Sequence, residues 1–240
     1  MNNQTKIPKT IHYCWFGRNP LPESVVKCIE SWRNYCPDYN IIQWNEDNYD
    51  ITKNKFMLNA YNNKKFAFVS DYVRLDVLYK YGGIYLDTDV EVIKNLDNLL
   101  YDNMFFALEA PGVIATGLGM GAAKGQEMLK QNMEFYDKIE IDPNGPFNKI
   151  ICTKYTSELL ENMGMKKVNT LQRLEDIVIY PTEYFCPMQV GHRKINITPN
   201  TYSIHHYDAS WYKGNKLIKE FNYRLIPLKK FIKKYILRRT

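Results

Sequence analysis

Apolar residues in the first part of the chain alternate between short continuous runs and stretches with helical spacing. Short runs at residues 7–17, 39–44 and 84–86 predict three strands. Between them, residues 22–35 and 66–81 carry apolar side chains at helical spacing and predict two helices. Strands that alternate with helices indicate an α/β fold with a mostly parallel central sheet.

The pattern is weaker in the rest of the chain. The stretch 112–125 is rich in glycine, which is typical of a flexible loop beside a site rather than of a core element. The remaining predicted elements are helices at 54–61, 125–136 and 147–163, and strands at 105–108, 176–180 and 203–207.

The composition is that of a globular protein. The chain has 240 residues, of which 45% are hydrophobic and 24% charged, which suits one domain with a small appendage and excludes a disordered chain. The net charge of +6 is unevenly spread, because residues 213–240 hold ten Lys/Arg and one acid and carry +9, which leaves −3 for the rest. A protein that binds nucleic acid through a uniformly basic surface would not show this distribution.

The cysteines and the apolar segments indicate a cytosolic protein. The five cysteines form no C-x-x-C pair, so neither a zinc ribbon nor a thioredoxin-type motif is present. The amino terminus lacks the apolar segment of a signal peptide, and no run of about 18 apolar residues indicates a transmembrane helix. We expect a cytoplasmic location with reduced thiols.

Two carboxylates, Asp87 and Asp89, follow the predicted strand 84–86. Ligands of open α/β sheets bind at the carboxyl ends of the strands. On a fully extended segment the two side chains would point to opposite sides, whereas a slight turn would aim both at one region. There one would bind a divalent cation that neutralises a departing diphosphate and the other would bind a hydroxyl of the ligand; the alternative is a solvated turn.

Two further groups support a site near this strand end. Asp71 and Arg74 are three residues apart on the predicted helix and share a face, where they would bind sugar hydroxyls or phosphate, or form a surface ion pair. His205 and His206 lie on a late predicted strand. An imidazole there would be a third metal ligand, or a strand-end histidine bonded to the backbone.

Together these residues resemble glycosyltransferase family 32, the group with a DXD-containing sugar-binding region that includes transferases of capsules and surface polysaccharides. Four segments carry the resemblance: IPKTIHYCWFG (7–17), WNEDN (44–48), SDYVRLDVLYKYGGIYLDTDVEV (70–92) and HHYDASW (205–211). The spacing of residues 70–92 and an early Trp-x-Gly are also distantly similar to bacterial glucosylating toxins.

The resemblance implies a GT-A type, Rossmann-like fold over residues 1–220 that binds a nucleotide-sugar with Mn²⁺ or Mg²⁺. It also implies roles for individual residues. Asp71, Arg74 and Asp87 would bind the transferred sugar, with Arg74 also near the diphosphate and Asp87 near the ribose. Asp89 would bind the metal directly, and His206 would be the last metal ligand, with His205 as the fallback.

The resemblance further implies that other residues bind the nucleotide-sugar. Trp15 would stack on the nucleotide base, unless it is a core residue beside the first strand. Ser70 would touch the nucleoside and Tyr85 would line the sugar pocket. Ser210 and Trp211 would approach the diphosphate or a closing loop.

The family is retaining, so we expect front-face transfer of a hexose to a saccharide acceptor in capsular or surface polysaccharide synthesis. The similarity to the toxins favours a UDP-hexose donor; the alternative is a GDP-mannose-dependent mannosyltransferase of the same fold. Two other classes stay open: a nonenzymatic module that binds anionic lipid or nucleic acid, and a glycoside hydrolase with paired carboxylates.

The carboxyl-terminal residues 221–240 form a separate basic, amphipathic segment. Apolar residues at helical spacing alternate there with lysines, which predicts a helix on an anionic membrane surface or one packed on the body of the protein. The first alternative would place the protein on the inner face of the cell membrane, near a lipid-linked acceptor.

Overall fold

The computed structural model describes residues 4–139, 151–188 and 195–207. This part of the chain forms ten strands. In chain order they are β1 Thr10–Cys14, β2 Asn40–Trp44, β3 Gly83–Tyr85, β4 Val90–Val92, β5 Met104–Ala110, β6 Val113–Ile114, β7 Met120–Ala122, β8 Gln172–Leu174, β9 Ile177–Tyr180 and β10 Ser203–His205.

Six α-helices and two short 3-10 helices accompany these strands. The α-helices are α1 Glu23–Tyr35, α2 Lys55–Asn62, α3 Phe66–Tyr81, α4 Glu127–Asp137, α5 Ile151–Asn162 and α6 Thr182–Phe185. None of these described helices combines the length and the apolar character that a bilayer-spanning helix requires.

The large sheet has the strand order β2-β1-β3-β7-β5-β9-β8, with β6 paired to β5. Strands β2, β1, β3, β5 and β9 run in one direction, while β7 and β8 run in the other. The predicted α/β fold with a mostly parallel sheet is therefore confirmed. Since β1, β3 and β5 are parallel, their carboxyl ends lie at the same edge of the sheet, where ligands bind in such folds.

The core lies on both faces of this sheet, as alternation along the strands requires. In β5, Phe105 packs on the side of α1, and Phe106 packs on the side of α2, α3 and α4. Both rings are fully buried. A separate two-stranded ribbon pairs β10 with β4, just after the carboxyl end of β3. The ribbon thus brings the late histidines to the sheet edge where the sequence predicts a ligand site.

Local sequence explains where the helices begin and end. Pro22 precedes α1 in an extended conformation, and the side chain of Asn54 caps α2 by accepting a hydrogen bond from the backbone N–H of Met57. Gly82 ends α3 with a φ of 67°, a conformation that favours glycine. The predicted helices 22–35, 54–61 and 66–81 therefore agree with the structure to within one residue.

The prediction of a flexible loop at 112–125 is wrong. The segment contains β6 and β7, and β7 is an interior strand of the large sheet. Two of its glycines allow close packing: an added Cβ would come within 2.7 Å of the Phe185 ring at Gly119 and 2.1 Å of the Phe105 ring at Gly121. Small residues are needed there because aromatic rings occupy the space where side chains would extend.

Candidate functional site

The two aspartates after β3 lie on a tight turn. The backbone N–H of Val90 donates to the carbonyl of Asp87, with an N···O distance of 3.1 Å, and β4 begins immediately afterwards. One carboxylate oxygen from each of Asp87 and Asp89 and one ring nitrogen of His205 lie within 4.8 Å of one another. The turn thus directs both carboxylates to one region, which an extended strand would not do.

These three groups fit a hard divalent cation. Carboxylate oxygens and one imidazole suit Mn²⁺ or Mg²⁺, whose remaining positions are filled by water and phosphate oxygens. Nε2 of His205 lies 3.1 Å from Asp89 Oδ1, and among the described residues its buried Nδ1 has no hydrogen-bond partner. Burial would lower the pKa of His205, but the charge and hydrogen bond of Asp89 outweigh it and the pKa is raised. A bound cation would take the place of the proton that the raised pKa favours on the His205 ring.

The structure brings His205, not His206, into this cluster. His206 places Nε2 2.8 Å from Glu91 Oε2, outside the group of three ligands. Neighbouring residues of a strand point to opposite sides, so only one of two consecutive histidines can face the aspartates. The sequence-based preference for His206 as the metal ligand thus gives way to its fallback, His205.

Arg74 is the centre of the polar contacts beside the cluster. Its side chain is 4% exposed, and its Nη2 lies 3.1 Å from Asp87 Oδ1 and 3.2 Å from Asp71 Oδ1. It also stacks on the Tyr85 ring, 4.8 Å from the centroid. The alternative of a solvated surface pair between Asp71 and Arg74 is wrong, because both side chains are buried. A guanidinium held between carboxylates is suited to phosphate or sugar hydroxyls.

Ser70 and Tyr85 hold this arrangement in place. Ser70 accepts a hydrogen bond from Arg74 Nη2 through its hydroxyl and another from Nε through its carbonyl, each with an N···O distance of 3.0 Å. The Tyr85 hydroxyl donates to Asp87 Oδ1 at 3.1 Å. Tyr85 is almost fully buried, so it forms the floor beneath Arg74. Contacts of Ser70 with a nucleoside stay a prediction.

Asp71 is an unusual carboxylate because it is buried. Burial raises its pKa to about 6, the charge of Asp87 acts in the same direction, and Arg74 and a hydrogen bond from Cys152 act against them. Cys152 belongs to α5 and lies at the site without any motif that would have revealed it. Perturbed carboxylates of this kind are typical of functional sites.

The turn between β6 and β7 supplies two residues that sequence reasoning missed. Arg74 Nη1 donates to the Thr116 hydroxyl at 3.0 Å, and the backbone N–H of Asp87 donates to the Gly117 carbonyl at 2.9 Å. The cluster of glycines in 112–121 was the available signal. From the sequence alone the glycines indicate a flexible loop, whereas this turn is packed against the site.

Trp15 lies just beyond β1, at the same sheet edge as Asp87, and is partly buried. Its Nε1 donates to the Asn19 carbonyl at 2.7 Å, and the next turn is tied down by Glu46, which accepts from the Gly17 N–H at 2.6 Å. Trp15 packs against the core and is only partly buried. Its stacking on a nucleotide base stays a prediction.

Two predicted donor-binding residues, Ser210 and Trp211, lie outside the described residues, as does the basic segment 221–240. Their predicted roles therefore stay predictions.

Known proteins resemble parts of this chain. Residues 22–106 match a family described as a glycosyltransferase sugar-binding region containing a DXD motif. The chain is 35% identical over 134 residues to inositol phosphoceramide mannosyltransferase 3 of Schizosaccharomyces pombe, covering 54% of this chain and 37% of the relative. It is 27% identical over 138 residues to mannosyl phosphorylinositol ceramide synthase SUR1 of Saccharomyces cerevisiae, covering 55% and 36%. The chain thus spans little more than a third of the length of these relatives.

A solved structure shows the same type of fold. The PaToxG glycosyltransferase matches with a TM-score of 0.50 and 17% sequence identity, over 66% of this chain and 72% of that chain. At this identity the likeness concerns the fold alone, and it agrees with the predicted GT-A type.

Proposed function

We propose that the chain, which belongs to the DXD-containing glycosyltransferases of family 32, transfers a hexose to a hydroxyl acceptor. The hexose would come from a nucleotide diphosphate-sugar, and a divalent cation would assist the transfer. One observation carries this proposal: ligand atoms of Asp87, Asp89 and His205 lie within 4.8 Å of one another, directly beside the buried Arg74. The two halves of the site match the two halves of the donor. The cluster offers ligands for the cation that accompanies a diphosphate, and Arg74 and Asp71 offer a donor and an acceptor for sugar hydroxyls.

The relatives support mannose as the transferred sugar. Those reported above are named as a mannosyltransferase and a mannosyl phosphorylinositol ceramide synthase. This favours GDP-mannose, the alternative donor of the sequence analysis, over a UDP-hexose. The same names refer to lipid acceptors, which supports a hydroxyl on a lipid-linked polyol or saccharide as the acceptor of this chain and gives no support to a role in capsule synthesis.

We propose that the reaction retains the configuration at the sugar carbon. When bound, the cation would neutralise negative charge on the leaving diphosphate. Arg74 would stabilise the same charge from the other side as the bond between the sugar carbon and the phosphate oxygen breaks. The acceptor oxygen would form the new bond on the same face, and an oxygen of the leaving diphosphate would take its proton. Stabilisation of charge on the leaving group would then make a strong general base unnecessary.

A thermal-shift panel tests the proposal directly, since a ligand that binds the native state raises its melting temperature. We expect GDP-mannose with Mn²⁺ to stabilise the protein more than either compound alone, and more than UDP-glucose with Mn²⁺. Release of GDP in the presence of a mannosyl acceptor would then be measured with and without a chelator. A protein that responds to neither nucleotide-sugar in the presence of Mn²⁺ or Mg²⁺ would contradict the proposal.

We also propose that residues 221–240 bind an anionic membrane surface, because basic and apolar residues alternate there at helical spacing. Flotation of the full chain with anionic vesicles, compared with a chain ending at Lys219, tests this. Equal flotation of the two would contradict it.

A further inference from the structure

We propose that Thr116 is a positioning residue that fixes the orientation of the Arg74 guanidinium and so keeps Asp87 available to the cation. This inference rests on the proposed function and assigns a role to a residue that lies far from the recognised motif. Thr116 is 2% exposed, and its hydroxyl accepts a hydrogen bond from Arg74 Nη1 at 3.0 Å.

Ser70 holds one edge of the guanidinium, because its carbonyl accepts from Nε and its hydroxyl from Nη2, each at 3.0 Å, whereas Thr116 is the acceptor at the remaining nitrogen, Nη1. Nη2 has three neighbouring acceptors for its two protons: the Ser70 hydroxyl at 3.0 Å, Asp87 Oδ1 at 3.1 Å and Asp71 Oδ1 at 3.2 Å. The guanidinium is planar and rigid, so the position of Nη1 determines where Nη2 points. Thr116 holds Nη1 and, together with the two Ser70 contacts, sets the balance between the two carboxylates.

Without this contact, a different pairing becomes favourable. Arginine and a carboxylate prefer a two-pronged pair in which both terminal nitrogens donate to the two oxygens. A guanidinium released from Thr116 is held at one edge only, by Ser70, and would gain a second bond to Asp87 by turning both terminal nitrogens toward it. That pair would use the Asp87 oxygens that the cation needs, so the cation would bind more weakly. The sugar hydroxyls would also lose Arg74 as a hydrogen-bond donor.

The turn that carries Thr116 is itself anchored on both sides. The N–H of Ile114 donates to the Ser157 hydroxyl of α5 at 2.9 Å, and the Gly117 carbonyl accepts from the Asp87 N–H at 2.9 Å. The turn also closes on itself, because the Leu118 N–H donates to the Ala115 carbonyl at 3.2 Å. Thr116 is therefore presented by a fixed backbone and can act as a reference point for Arg74.

The test compares Thr116→Val, which removes the hydroxyl and keeps the shape, with Thr116→Ser, which keeps the hydroxyl. At saturating donor and Mn²⁺ we expect Thr116→Val to lower the transfer rate by about 10-fold or more. It should also raise the Mn²⁺ concentration that gives half of the thermal stabilisation. Thr116→Ser should stay close to the wild type in both measurements.

Thr156→Val is the matched control. Thr156 is 1% exposed and its hydroxyl accepts from Asn132 Nδ2 at 2.7 Å, so this change also leaves a buried donor without its partner. We expect it to reduce stability without changing the Mn²⁺ response. A second measurement repeats Thr116→Val in an Arg74→Lys background, where a lysine cannot form the fork and the second change should add no further loss of Mn²⁺ response.

The outcomes separate this inference from the proposed function. A wild-type response to Mn²⁺ in Thr116→Val, or additive losses in the Arg74→Lys background, would overturn the role of Thr116 while the wild-type protein still transferred sugar. A wild-type protein without any response to Mn²⁺ and nucleotide-sugars would instead overturn the proposed function. If Thr116→Val does not fold, a Thr116→Ser variant with a weakened Mn²⁺ response would count against the role, because it keeps the hydroxyl.

Discussion

Gly117 and Asp87 lie so close together that a Cβ added to Gly117 would come within 1.7 Å of Asp87 Oδ2. The backbone is also joined there, since the Gly117 carbonyl accepts from the Asp87 N–H. The absence of a side chain at residue 117 is therefore a condition for the carboxylate position that the cluster requires.

Gly117→Ala should for this reason abolish cation binding while the protein stays folded. The clash falls on the end of a side chain, which can move, whereas the Gly117 backbone is not in a conformation that requires glycine. We expect Asp87 to swing away from Asp89 and His205 and the thermal response to Mn²⁺ to be lost. Gly125→Ala is the control, because a Cβ there meets nothing within 4 Å, although its φ of 79° will cost some stability. An unchanged Mn²⁺ response in Gly117→Ala would contradict this geometry.

Asp89→Ala should lower metal-dependent transfer by on the order of 100-fold or more, because a direct ligand of the cation is removed. The measurement is the initial rate as a function of Mn²⁺ concentration. Asp38→Ala is the matched change at an exposed carboxylate paired with Lys9, away from the site, and should keep the wild-type rate. Near-normal, metal-dependent transfer by Asp89→Ala would exclude Asp89 as a ligand.

His205→Ala and His206→Ala should differ. His205 lies in the cluster with the aspartates, while His206 faces Glu91, so only His205→Ala should weaken Mn²⁺ binding. Calorimetric titration of each variant with Mn²⁺ measures this. The opposite order of effects would return the role of metal ligand to His206.

His12 should contribute a loss of stability as the pH decreases from about 6.5 to about 4. Burial lowers the pKa of His12 to about 4, below its ordinary value of 6.5, so the unfolded chain takes up this proton first. The neutral ring is also required by its contacts, since Nδ1 accepts from Trp44 Nε1 at 3.1 Å and Nε2 faces the Gly82 carbonyl at 2.9 Å. The stabilising contribution is therefore complete above pH 6.5 and is lost toward pH 4.

Urea unfolding of the wild type and of His12→Gln across this pH range measures the contribution. We expect a shallower loss in His12→Gln, with a difference on the order of 2 kcal/mol at the acidic end. Asp71 contributes a slope of opposite sign, because its raised pKa makes the native state the stronger proton acceptor. The comparison between the two proteins removes that contribution, and parallel curves would contradict the role of His12.

The sequence predicted those elements whose ends are determined by residues nearby in the chain. The helix at 66–81 agrees with α3 because Gly82 ends it through its own backbone conformation, and the turn after β3 follows from two aspartates beyond an apolar run. Strand β7 was missed because Met120-Gly121-Ala122 has no β-branched residue, and only the sheet around it makes it a strand.

The residues of the site could likewise be predicted where they lie close together in the chain. Asp71, Arg74, Asp87 and Asp89 were identified because they lie within one short block, and the structure brings all four together. The choice between His205 and His206 depends on how β10 pairs with β4, which no local pattern determines. Thr116 lies 42 residues from Arg74 in the chain, so only the folded sheet reveals their contact.

The imbalance of charge around Arg74 has a kinetic consequence. Asp71 and Asp87 both pair with the Arg74 guanidinium and Asp89 lies beside Asp87, so a free diphosphate approaching these carboxylates meets repulsion that one arginine does not offset. Substrate association should therefore be ordered, with the cation arriving first or together with the nucleotide. Rapid-mixing experiments would then show fast donor capture only after preincubation with metal, and a lag when the metal is added last.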